Sequence, residues 1–145
     1  MMKTRYTSLV SVKKNIMQKS EQVLQSANAN LNSALMALEM SLDELAELHT
    51  PQSGQISDFL SHRSLLDSQR VVIQHNQEWI AFARNEIAQA KEQLKLDTIE
   101  FEKFNHLELQ EIKEILQKRK IQEAKDLDEI ALMTYDKNSP KKETL

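Results

Sequence analysis

The chain has 145 residues, enough for one domain, with 40% hydrophobic and 28% charged residues and a formal net charge of −3, the balance of a folded protein without a nucleic-acid signature. Its single glycine (Gly54) excludes phosphate-cradling and dinucleotide-binding loops, which need two or three glycines within a few residues. The absence of cysteine excludes disulfides, thiolate nucleophiles and sulfur-ligated metals.

In chain order, the opening Met1-Met2-Lys3-Thr4-Arg5-Tyr6 leads into no hydrophobic signal core. Helix breakers then cluster at only two places, His49 to Gln55 around Pro51 and Gly54, and Asn138-Ser139-Pro140. Between them lie Leu, Ala, Glu, Gln, Lys and Met, which favour the helix. The reading is therefore all-α: a helix over 4–48, a loop over 49–56, a helix over 57–136 and a polar tail over 137–145, in one domain. A second reversal within 56–75, capped by Ser57, Ser61, Ser64 or Ser68, is the alternative to one continuous second helix.

Heptad spacing points to a coiled coil. Val10, Met17, Leu24, Leu31, Leu38 and Leu45 fall seven apart in the first helix, and Phe59, Leu66, Ile73, Ile80, Ile87, Leu94 and Phe101 do so in the second. A strict seven-residue repeat holds one stripe against a partner over many turns, whereas a 3.6-residue pattern drifts. Three residues after the rungs come Lys13, Ser20, Ala27, Ala34, Ser41 and Leu48, and His62, Gln69, Asn76, Ala83, Ala90, Asp97 and Phe104. Folding at Pro51–Gly54 into an antiparallel coiled-coil hairpin whose paired residue numbers add to 107 sets large against small: Leu24 on Ala83, Ile80 on Ala27, Leu66 on Ser41, with Leu48 and Phe59 closing the loop end. The first helix then runs out opposite residue 103, leaving ~33 residues, or ~50 Å, as an overhanging C-terminal helix. Phe104, Ile112, Ile115, Leu116, Leu127, Ile130 and Ala131 keep that overhang amphipathic.

One residue before the rungs lies a second apolar flank: Leu9, Ile16 and Val23, and Leu65, Val72 and Trp79. It is either a widened seam buried within the hairpin or a shoulder around Val23, Val72 and Trp79 on which a partner docks, because two helices cannot bury so wide a stripe. The opposite flank carries Arg63, Arg70, Arg84 and Lys91, with Glu21 within reach of Arg84. Residues 1–20 hold five bases and no acid, and residues 21–48 five acids and no base, which could orient a rod in a charged partner.

Catalytic and cofactor chemistry finds no footing. His49, His62, His75 and His106 are never three or four apart, so no helical metal pair exists. Glu108, Glu111 and Glu114 share helix faces, but a two-helix rod offers no cavity in which carboxylates are tuned for acid–base work. The longest apolar run is five residues, Trp79–Ala83, against the ~20 needed to cross a bilayer. The sequence predicts a soluble, intracellular, non-enzymatic protein without cofactors, nucleic-acid partners or direct membrane insertion.

Lys125-Asp126-Leu127-Asp128-Glu129-Ile130-Ala131 followed by a short polar tail resembles the ending of the FliJ family of flagellar export stalk proteins, and Tyr6-x-x-Leu9-Val10-x-Val12-Lys13 is similar to that family's opening. Length, the single mid-chain break and the near absence of glycine agree with it. The resemblance implies an antiparallel coiled coil that sits in the pore of the hexameric export ATPase, promotes its activity and links it to the membrane-embedded export gate and to export chaperones. It implies a cytoplasmic protein, peripheral at the inner membrane through the export apparatus. The matched Leu127, Asp128, Glu129 and Ala131 are then expected at the ATPase-inserted end. The gate-contacting surface has no matching motif here, and the shoulder of Val72 and Trp79, with His75 nearby, is expected to supply it from exposure alone. A general coiled-coil scaffold and a holdase-type chaperone using the apolar shoulder are the competing readings.

Overall fold

The computed structural model describes residues 2–138 and contains two long helices packed against each other, α1 (Thr7–Glu47) and α2 (Ile56–Asn138). Of the expected polar tail, Lys137 and Asn138 belong to α2, and 139–145 lie outside the described residues. α2 runs unbroken from Ile56, so there is no second reversal within 56–75.

Local chemistry sets the helix starts. The Thr4 carbonyl accepts from the Thr7 N–H (3.2 Å), and the Thr4 hydroxyl accepts from the Tyr6 N–H (3.1 Å), a turn that delays α1 to Thr7. Before α2, the Asp58 carboxylate accepts from the Gln55 N–H (3.1 Å) while the Asp58 N–H donates to the Gln55 carbonyl (3.0 Å). This is the reach-back half of a capping box, with the acid also favoured by the helix N-terminus. The turn requires Gly54: its φ is +150°, and a Cβ there would stand 2.5 Å from Asp58 Oδ2. Gly54→Ala is expected to cost about 1–3 kcal/mol in urea unfolding, because it combines backbone strain with displacement of the cap.

The chain divides into two compact units, one of Lys13–Glu100 and one of Met1–Val12 with Phe101–Leu145. In Lys13–Glu100 the buried residues are Ser20, Ala27, Ala34 and Ser41 of α1 and Ile73, Asn76, Ile80, Ala83 and Ala90 of α2. All are seam positions of the heptad pattern, with the remaining Leu and Met rungs of α1 half-buried between the small residues. Ala34 and Ala83 are fully enclosed, at 0% exposure.

The register differs from the expected one. Ser20 donates to the Asp97 carboxylate, and Asn76 donates to Ser41 Oγ (3.1 Å), and both pairs of residue numbers add to 117 rather than 107. Asn30 donates to Glu86 (3.3 Å) in nearly the same register. Small residues therefore face small residues: the same spacing sets Ala27 level with Ala90 and Ala34 level with Ala83, and bulky rungs meet between these layers. The cause is polar. In the 107 register Asn76 would face Leu31 and half-buried Asp97 would face Val10, leaving Asn76 buried without a partner at about 1–3 kcal/mol and Asp97 against an apolar side chain. In the observed register Asp97 accepts from both Ser20 and Gln93 (3.0 Å), and the Ser41 hydroxyl donates to the Leu38 carbonyl (2.8 Å) while accepting from Asn76. Gln69 adds donations to the Ser41 carbonyl (2.8 Å) and Glu44 (3.2 Å).

Three expectations fall with that shift. Leu66 does not face Ser41, which is taken by Asn76. Phe59 does not close the loop end and is exposed. No ion pair joins Glu21 to Arg84 among the described residues; the ion pair across the helices here is Lys13 with Glu100 (3.6 Å). Asn76→Ala is expected to cost about 1–2 kcal/mol, the lost hydrogen bonds plus a small cavity, because Ser41 keeps its bond to Leu38. Urea unfolding checks the value.

In the other unit, Thr7 donates to Glu108 (3.2 Å), and Arg5 pairs with Glu111 (3.6 Å). Half-buried residues recur along α2 from Phe101 to Ile115, so cover reaches farther than the expected limit near residue 103. From Leu116 to Asp136 every residue is exposed.

Candidate interaction surfaces

Two exposed apolar surfaces stand out. The first is Leu116–Asp136, 21 residues of continuous helix, ~32 Å long. Leu127 is 66% exposed, and Ile130, Leu132, Met133 and Tyr135 are all above half. Leu127 and Ala131 stand one turn apart on the same face, with Asp128 beside them and Glu129 turned toward the opposite side. None of these four makes a side-chain hydrogen bond or ion pair among the described residues. A helix end that leaves this many large apolar side chains exposed gains by being covered.

The second surface is on α2 within Lys13–Glu100. Val72, His75 and Trp79 follow one another at helical spacing on one face. His75 and Trp79 line a shallow hollow with Glu78 and Phe82, and Val72, at 44% exposure, stands one turn before His75. The flank is thus not a seam buried between the helices: Ile16, Val23, Leu65 and Val72 are exposed and Trp79 is half-buried. Nor is it continuous. Val23 borders a different hollow, lined by Lys19, Gln22, Asn30, Glu86 and Gln93, because the observed register carries it past Trp79 to the level of Gln93. Sequence reasoning missed Phe82, 59% exposed, and Met36 and Met40, both above 60%. The available signal was large apolar side chains at heptad positions outside both seam ladders, which no intrachain packing calls for.

Chemically the surfaces are suited to recognition. Among the described residues no group of three or more His, Asp or Glu could hold a metal ion. Glu111, on a face shared with Glu108 and Glu114, is engaged by Arg5. No helix among the described residues is long and apolar enough to cross a membrane.

The protein-family model described as "Flagellar FliJ protein" matches residues 2–139, nearly the whole chain. The chain belongs to the FliJ family. Both segments that carried the resemblance, Tyr6–Lys13 and Lys125–Ala131, fall inside the matched span. No curated protein and no solved structure matches the sequence. FliJ membership gives the protein a role in flagellar protein export, as a component of a non-catalytic family associated with the export apparatus.

Proposed function

We propose that this FliJ-family protein is a non-enzymatic stalk of the flagellar type III export apparatus. It acts in the cytoplasm, held at the inner membrane through that apparatus. In this reading the two helices form an antiparallel coiled-coil hairpin, and the C-terminal part of α2 overhangs it and enters the pore of the hexameric export ATPase. There it promotes ring activity, while the Val72–His75–Trp79 surface meets the cytoplasmic domain of the export gate or an export chaperone. The observation that carries the reading is the uncovered, amphipathic, continuous helix Leu116–Asp136. A ring pore can surround such a helix on all sides and draw a large contact area from a thin object. Leu127 and Ala131 supply the apolar face, and Asp128 and Glu129 supply charge for basic groups lining the pore.

The test is co-purification of the cognate ATPase from native cytosol with the intact chain and with a Leu127→Asp, Ala131→Asp variant. Both substitutions are at exposed positions, so the fold is expected to survive with little change in stability. Recovery of the ATPase is expected to fall by about ten-fold or more, the scale of losing central apolar anchors. Equal recovery with both proteins would overturn the placement of this segment in the ring.

A further inference from the structure

Charge on the exposed end of α2 is divided into two blocks. Residues 117–125 carry four bases (Lys118, Arg119, Lys120, Lys125) against one acid, Glu123. Residues 126–136 carry four acids (Asp126, Asp128, Glu129, Asp136) and no base. All are exposed, and none is in an ion pair among the described residues; the one side-chain bond joining the blocks is Gln122 donating to Asp126 (3.0 Å) within the helix. On the same segment Leu116, Ala124, Leu127 and Ala131 form an apolar stripe with Lys120 among them, and Ile121 and Leu132 stand at its flank beyond Asp128.

Such a helix is complementary to itself turned end for end. We infer that a second copy of this chain covers it, the two Leu116–Asp136 segments pairing antiparallel about Ala124. In that arrangement the basic block of each copy lies along the acidic block of the other, Leu116 comes level with Leu132, and Ile121 comes level with Leu127. Ala124, at the centre, lets the helices approach closely. Parallel pairing sets like blocks side by side and is disfavoured. An anionic surface such as a membrane or nucleic acid fits worse, since the acidic block repels what the basic block attracts. The contact is only ~32 Å long, at the low end of stable interfaces. It therefore forms at high concentration and gives way to a partner that encloses the helix. This is a state of the free protein, outside any ring, in which the apolar end is masked.

The test is sedimentation equilibrium of the full chain and three full-chain variants, with circular dichroism to verify helicity. The basic-block variant is Lys118→Glu, Arg119→Glu, Lys120→Glu; the acidic-block variant is Asp126→Lys, Asp128→Lys, Glu129→Lys; the third combines them. The native chain is expected to dimerise at about 10–100 µM. Either block variant is expected to weaken association by about ten-fold or more, and the combined variant to restore it, because both blocks are then inverted together. Raising salt from about 0.05 to 0.5 M is expected to weaken the native dimer. A native chain that stays monomeric through this range, or a dimer indifferent to the block variants or not recovered in the combined one, would overturn the inference.

Discussion

Ending the chain after Gln117 is expected to abolish stimulation of the cognate export ATPase while leaving the rest of the protein folded. The removed residues include Leu127, Asp128, Glu129 and Ala131 and nearly all of the uncovered helix. Every one of them up to Asp136 is exposed, so their loss removes little buried area, and surface positions of this kind typically contribute within about 0.5 kcal/mol each. The inter-helix bonds Arg5–Glu111 and Thr7–Glu108, and the whole of Lys13–Glu100, are retained. Steady-state ATP hydrolysis by the isolated ATPase is measured with and without each form, beside urea unfolding. The truncated form is expected to return the unstimulated rate at concentrations where the intact chain saturates, with an unchanged unfolding midpoint. Full stimulation by the truncated form would place the contact elsewhere on the protein. A lowered midpoint would instead show that the uncovered helix packs on the rest of the chain.

The largest effect on stability is expected from Ala83→Leu. Ala83 has no exposed surface, and Ala34 at its level on α1 has none either. Three added carbons have nowhere to go between two helices already in contact, so they must separate the helices or shift their register. Overpacking of this kind costs about 1–3 kcal/mol. Any register shift would also strip Asn76 from Ser41 and Asp97 from Ser20 and add the cost of leaving buried Asn76 and Ser20 without those partners. A fall in melting temperature of roughly 5–10 °C is expected. Ala81→Leu, two residues away and exposed, is the control and is expected to change stability by less than about 0.5 kcal/mol. Equal melting of the two variants would mean that the alanine layers are not close-packed.

The helices, the break between them and the seam were all legible in the sequence, because a heptad repeat and the scarcity of Gly and Pro are strong local signals. The register was not legible from the apolar rungs. Numbers adding to 107 and to 117 both bring apolar residues together, and the first gives the tidier alternation of large with small. The choice rests on a few polar seam residues, Ser20 with Asp97 and Ser41 with Asn76, whose hydrogen bonds outweigh that alternation. The register in turn decides the place of Phe59, the neighbours of Val23 and the point at which α2 loses cover. The surface around Trp79 was visible in part through Val72 and His75. Phe82 and the exposed methionines stand outside the ladder and are noticed only once the ladder is known to be complete without them.

The two polar layers have a mechanical consequence. They bracket the alanine layers like dowels at either end of a joint. Sliding α1 past α2 by one heptad, ~10 Å, would empty both at once. Lys13–Glu100 therefore resists telescoping of one helix along the other.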